Sequence, residues 1–100
     1  MKLFVDDTRE CPTGGYNCCR TAEQAKQLMK FMDFDHISLD YNLGHNKETG
    51  LDILIWMKEN NIHVPVINIH SNHVIGKERM REYAEASFPD SKITMNMLMK

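Results

Sequence analysis

Nowhere among the hundred residues is there a run of roughly 18 or more apolar residues, the length a membrane-spanning helix needs. The first residues, Met1 to Asp7, also lack the basic segment and long apolar stretch of a secretory signal. There is no excess of positive charge: 12 Lys and Arg stand against 14 Asp and Glu, for a net charge of -2. A chain of that sign has no basic field to hold extended nucleic acid by counterion release, so any RNA or DNA contact should be local. Cysteine is sparse and odd in number. Cys11, Cys18 and Cys19 show no Cys-x-x-Cys spacing, so neither a disulfide framework nor a zinc ribbon is expected, and a reducing, cytoplasmic setting fits better. Internal repeats and low-complexity tracts are missing as well.

What the chain does have is 42% hydrophobic residues, enough at this length for one modest core and a single domain over residues 1–100. Lys2-Leu3-Phe4-Val5 is a short apolar run that stops at Asp6-Asp7, the pattern of a buried strand opening into a polar loop. Pro12, Gly14 and Gly15 then punctuate a turn, and Tyr16 to Arg20 reads as a second short strand. Thr21-Ala-Glu-Gln is a capping box, followed by Ala22, Ala25, Leu28, Met29 and Met32 at helical spacing, which predicts a helix over 21–32. Asp35 to Asp40 is a strand ending in a carboxylate.

Thr49-Gly50-Leu51-Asp52 predicts a second helix to about Glu59, with Leu51, Leu54, Ile55 and Met57 as its buried stripe. His63 to His70 is β-rich, with Pro65 confined to its start because proline donates no ladder hydrogen bond. Gly76 to Ala86 predicts a third helix with Met80, Tyr83 and Ala84 on one side, ended by Pro89. Ile93 to Met99 alternates weakly and predicts a last strand. Its methionines, Met95, Met97 and Met99, are core filler or an exposed surface for a protein partner.

Strands alternating with helices imply a parallel sheet with right-handed crossovers, and ligands of such sheets bind outside the carboxyl ends of the strands. Asp6, Asp7 and Asp40 all sit at such ends, and adjacent strands would bring them within about 5 Å. Carboxylates that close repel unless a cation neutralises them, and an all-oxygen set favours Mg²⁺ or Mn²⁺ over zinc. Magnesium held by few carboxylates completes its shell with phosphate oxygens, for which Arg9 and Ser71 are further donors. Asp40 suits either an in-line nucleophile or a metal ligand. His70, closing the last clear strand beside Ser71, could protonate a leaving oxygen, and His73 is a further polar group on the same loop. Each residue alone has an ordinary alternative: a turn-capping aspartate, a strand-end histidine bonded to backbone, a surface ion pair for Arg9. Their convergence at successive strand ends is what points to a site.

Asp6-Asp7-Thr8-Arg9, Ser38-Leu39-Asp40-Tyr41-Asn42-Leu43-Gly44, Thr49-Gly50-Leu51-Asp52 and His70-Ser71 together resemble the cyclic-phosphate processing receiver domains, over roughly residues 2–84. The resemblance implies a small flavodoxin-like, receiver-like α/β parallel sheet with flanking helices, truncated at the C-terminus. It also implies handling of cyclic phosphate ends such as 2′,3′-cyclic phosphates on RNA. Carried over by position, Asp6, Asp7 and Asp40 form the acidic metal pocket, His70 with Ser71 the second half of the site, and Arg9 lies beside it. The chemistry of the residues themselves makes Asp40 and His70 the catalytic candidates and puts Arg9, Ser71 and His73 on the phosphate side. The alternative is a phosphoacceptor module in which Asp40 takes a phosphoryl group and a partner protein reads it. Four departures stand out. Asn42 replaces an expected acid, His73 stands where an asparagine is expected, no helix is evident between the first two strands, and the superfamily's strand-end lysine has no match in Lys92 or Lys100.

Overall fold

In the computed structural model, which describes residues 1–97, the chain forms five parallel strands and three helices. They run β1 (Lys2–Val5), β2 (Tyr16–Cys19), α1 (Ala22–Phe31), β3 (His36–Leu39), α2 (Gly50–Glu59), β4 (Val66–Ile69), α3 (Val74–Ser87) and β5 (Lys92–Thr94). The strand order is β2-β1-β3-β4-β5. This is the compact receiver-like α/β architecture expected from the alternating pattern.

Strand order and handedness together decide where the helices go. The steps β2→β3, β3→β4 and β4→β5 all move the same way across the sheet, so right-handed crossovers place α1, α2 and α3 on one face. That face carries Leu3, Val5, Ile37, Leu39, Ile67 and Ile69, which join Ala25, Met29, Ile53, Leu54, Met57, Met80 and Ala84 in one buried cluster. Neighbouring helices touch in sequence, α1 on α2 and α2 on α3. The step β1→β2 moves the opposite way, so its link belongs on the other face, and residues 6–15 cross there without a helix.

That link revises the reading of the cysteines. Cys11 and Cys18 are disulfide-bonded, with Cα atoms 5.9 Å apart. Alternation along β2 explains the odd count: Cys18 points to the link side, while Cys19 points into the core, where burial pushes its thiol up to about 11. The turn through Pro12, Gly14 and Gly15 folds Cys11 back onto the strand, which spacing alone did not reveal. With Cys11 and Cys18 paired, the cysteines do not favour a reducing compartment. Among the described residues no helix is long and apolar enough to cross a membrane.

The helices begin where their caps dictate. Thr21 accepts from the Gln24 N–H, but the Gln24 side chain accepts from the Arg20 N–H rather than closing the box on Thr21. Thr49 and Asp52 make the complete reciprocal box at α2. The stripe of α2 is Gly50, Ile53, Leu54 and Met57, not the expected one with Leu51 and Ile55, which are only half-buried. The cause is Gly50, whose missing side chain lets the helix start press on the Asp40 carbonyl and rotates the i, i+3, i+4, i+7 set inward. The third helix starts two residues earlier than expected because His73 caps it, its Nδ1 accepting from the Gly76 N–H at 2.8 Å. The last strand ends at Thr94, because both backbone groups of Asn96 bind the Asn68 side chain and leave the ladder. The remainder of the expected strand, Leu98 to Met99, and Lys100 lie outside the described residues.

A Cβ at position 50 would overlap the Asp40 carbonyl oxygen, which is backbone and cannot step aside. Gly50→Ala is therefore expected to cost about 1–3 kcal/mol, the usual penalty for overpacking. Phe31→Gln, at an 80% exposed position, should stay within about 0.5 kcal/mol of the parent. Paired urea denaturation curves check both.

Candidate functional site

The register of the sheet brings the acidic ends together. Val5 pairs with Leu39 and Leu39 with Ile69, so Asp6, Asp40 and His70 are the next residues along three adjacent strands. The ladder continues through them, with Asp40 N–H donating to Val5 O at 3.1 Å and His70 N–H to Leu39 O at 3.0 Å. One ligand atom from each of the three side chains falls within 4.8 Å of the others.

Asp6 is fully buried and fully engaged. Oδ1 accepts from the backbone N–H groups of Thr8 and Arg9, both at 2.9 Å. Oδ2 lies 2.9 Å from His70 Nε2 and 3.3 Å from Arg9 Nε. Burial alone would raise its pKa, but the two backbone bonds and His70 outweigh it, and the carboxyl is held below its ordinary value. Arg20 steadies the same turn by donating to the carbonyls of Asp6, at 3.0 Å, and Arg9.

Asp40 is only half-buried and shifts the other way. Its pKa is raised, first by burial and then by the negative charge of Asp6, against bonds from the Ser71 hydroxyl and the Tyr41 N–H and the pull of Arg9. Asp40 lines a cavity of about 420 Å³ together with Asp7, Thr8, Arg9, Asn42, Ser71, Asn72 and His73. A carboxylate that gains from extra positive charge, facing a cavity ringed by oxygen donors, fits a hard divalent cation.

His70 does not line this cavity. Its ring is fully buried, stacked on Phe4 with centroids 4.5 Å apart, and bonded at both nitrogens, Nδ1 to Ser38 Oγ at 2.6 Å and Nε2 to Asp6. Burial lowers its pKa against the pull of Asp6. Ser71 is buried at the cavity wall, bonded to Asp40 and accepting from the His73 N–H at 3.1 Å. The His73 ring packs on Tyr41 at 4.6 Å. No lysine is among the cavity-lining residues described, and Lys92 begins β5 beside Val66, at the far end of the strands.

Thus Asp7, Arg9, Asp40, Ser71 and His73 share the cavity, and Asp6 and His70 stand behind it. Sequence reasoning missed Thr8, Asn42 and Asn72 in the lining, and Ser38 and Asn68 beneath it. The last two had a signal: each is the polar member of an apolar alternation, Ile-Ser-Leu and Ile-Asn-Ile, which reads as a solvent face although both are buried.

Residues 1–86 match the sequence profile of the cyclic-phosphate processing receiver domain. The chain belongs to that family. No curated protein matches it.

The raised pKa of Asp40 has a sign that can be measured. A carboxyl whose native pKa exceeds its unfolded value destabilises the fold as pH rises through that interval, starting near 3.8. Asp40→Asn should therefore raise the melting temperature at neutral pH without added metal. A gain of about 1 kcal/mol would appear as about 4–8 °C, fading as pH falls toward 4. Thermal melts of the two proteins across pH give the answer; a less stable variant at pH 7 contradicts it.

Proposed function

We propose that this receiver domain binds a divalent cation, Mg²⁺ or Mn²⁺, at the acidic cavity and through it a cyclic phosphate or RNA-end phosphoester. The observation that carries the reading is the pairing of Asp6 and Asp40 at adjacent strand ends with Asp40 held above its ordinary pKa beside an open, oxygen-lined cavity. Asp7 and Asp40 would hold the cation, with the Asp6 charge behind them. A bound cation supplies charge neutralisation at a phosphoryl oxygen. Arg9, at the cavity wall, offers guanidinium donors not spent on Asp6, and Ser71 and the His73 ring are the polar groups opposite. Family membership supports the phosphoester as ligand. The small cavity and the slight negative charge favour a small molecule or a single strand end over a long nucleic acid. In this reading His70 orients Asp6 and is not the proton donor, because its ring is buried away from the cavity.

Metal binding is tested first. Mg²⁺ at a hundred times its Kd should stabilise the domain by about 2.7 kcal/mol, and Asp40→Asn and Asp7→Asn should each remove most of the thermal shift. A shift that survives both substitutions, or none with either metal, sinks the proposal. Incubation of the Mg²⁺-loaded protein with a nucleoside 2′,3′-cyclic phosphate, followed by phosphorus NMR, then separates binding from turnover. Acetyl phosphate addresses the second reading, which the exposure of Asp40 to the cavity favours. A gain of one phosphoryl mass, lost in Asp40→Asn and without cyclic-phosphate turnover, would make the domain a phosphoacceptor.

A further inference from the structure

Beneath the cavity a row of buried polar side chains crosses the sheet, and its hydrogen bonds leave only one arrangement of protons. Asn96, just past β5, presents both backbone groups to the Asn68 side chain. Its N–H donates to Oδ1 at 2.8 Å and its carbonyl accepts from Nδ2 at 2.7 Å. A backbone N–H cannot accept and a carbonyl cannot donate, so the Asn68 amide cannot be flipped. The Thr94 hydroxyl, 2.6 Å from Oδ1, donates to the same oxygen. The second amide proton of Asn68 goes to Ser38 Oγ at 2.9 Å.

Ser38 then has one proton of its own and one remaining partner, His70 Nδ1 at 2.6 Å. Its hydroxyl donates there, so Nδ1 carries no proton. The ring proton therefore sits on Nε2, aimed at Asp6 Oδ2 2.9 Å away. The other arrangement, with Nδ1–H donating to Ser38, would give Oγ two donors and strand the serine proton in a fully buried site. That is the type of unsatisfied group interiors avoid.

We propose that Asn68 is a positioning residue of the acidic site: locked by the Asn96 backbone, it sets the Nε2–H tautomer of His70 through Ser38 and so fixes the Asp6 carboxylate. Two consequences follow. A histidine with its proton on Nε2 offers no lone pair toward the cavity, so the cluster of Asp6, Asp40 and His70 presents only oxygen to a cation. The segment after β5 is also joined to the end of β1 across β4 and β3, so displacing that segment releases Asp6. The second point bears on function only if the cavity is the binding site proposed above. The tautomer itself does not depend on that reading.

Long-range proton–nitrogen NMR of the full chain, uniformly ¹⁵N-labelled and metal-free at neutral pH, is the test. His70 should show a protonated Nε2 and a pyridine-like Nδ1. Asn68→Asp, which cannot donate to Ser38, should move the proton onto Nδ1. Asn96→Ala should leave the native pattern, since only backbone is used. A native His70 protonated on Nδ1, or an unchanged pattern in the Asn68→Asp variant, overturns the proposal. Should Asn68→Asp fail to fold, the native spectrum decides alone. The native tautomer in a protein that binds no Mg²⁺ would uphold the relay and remove only the cation reading.

Discussion

A carboxylate with no exposure to solvent, Asp6, is the constraint around which this domain is arranged. An unpaired charge in that position would cost several kcal/mol, so the chain around it is committed to supplying donors. The turn after β1 curls so that Thr8 and Arg9 present their N–H groups, and Arg9 returns its side chain to the same carboxylate. Arg20 ties down the carbonyls of that turn, and His70 closes the shell from two strands away. Thr8 and Arg9, which donate to Asp6, also line the cavity, so satisfying the charge and building that wall are a single structural problem.

The two faces of the sheet solve different problems. On one face aliphatic side chains from all three helices and the central strands exclude water and supply the non-directional part of stability. On the other, Phe4, Ser38, Asn68 and His70 are just as buried but are held by directional contacts, a ring stack and a run of hydrogen bonds with no orphaned polar side-chain atom among the described residues. Such a row is stabilising only when every member is satisfied, and it specifies one geometry in return. The link that crosses this face has no helix of its own and is braced by the Cys11–Cys18 bond.

The strand ends were readable because each apolar run stops at a charged residue, as Val5 does at Asp6 and Leu39 at Asp40. Thr21 and Thr49 announced their helices through local capping chemistry, which depends on residues three apart. What escaped is what depends on contacts distant in sequence. Cys11 meets Cys18 only after a turn is folded, and Ile53 rather than Leu51 is buried because Gly50 meets a strand end. Asn68 is met by Asn96, 28 residues further on, and that contact also stops β5 early. His70 was placed correctly along its strand, but whether its ring turned toward the cavity or toward Asp6 is settled by Ser38 and Phe4, which no local pattern connects to it.

Two glycines carry a mechanical consequence for Asp40. Gly50 opens α2 directly against its carbonyl, and Gly76, in the first turn of α3, leaves just enough room for the ring of Tyr41, its neighbour. The peptide joining residues 40 and 41 is therefore held in a vice between the starts of two helices. Its backbone cannot drift to accommodate ligands of different size, so the carboxylate is presented at a fixed height above the sheet.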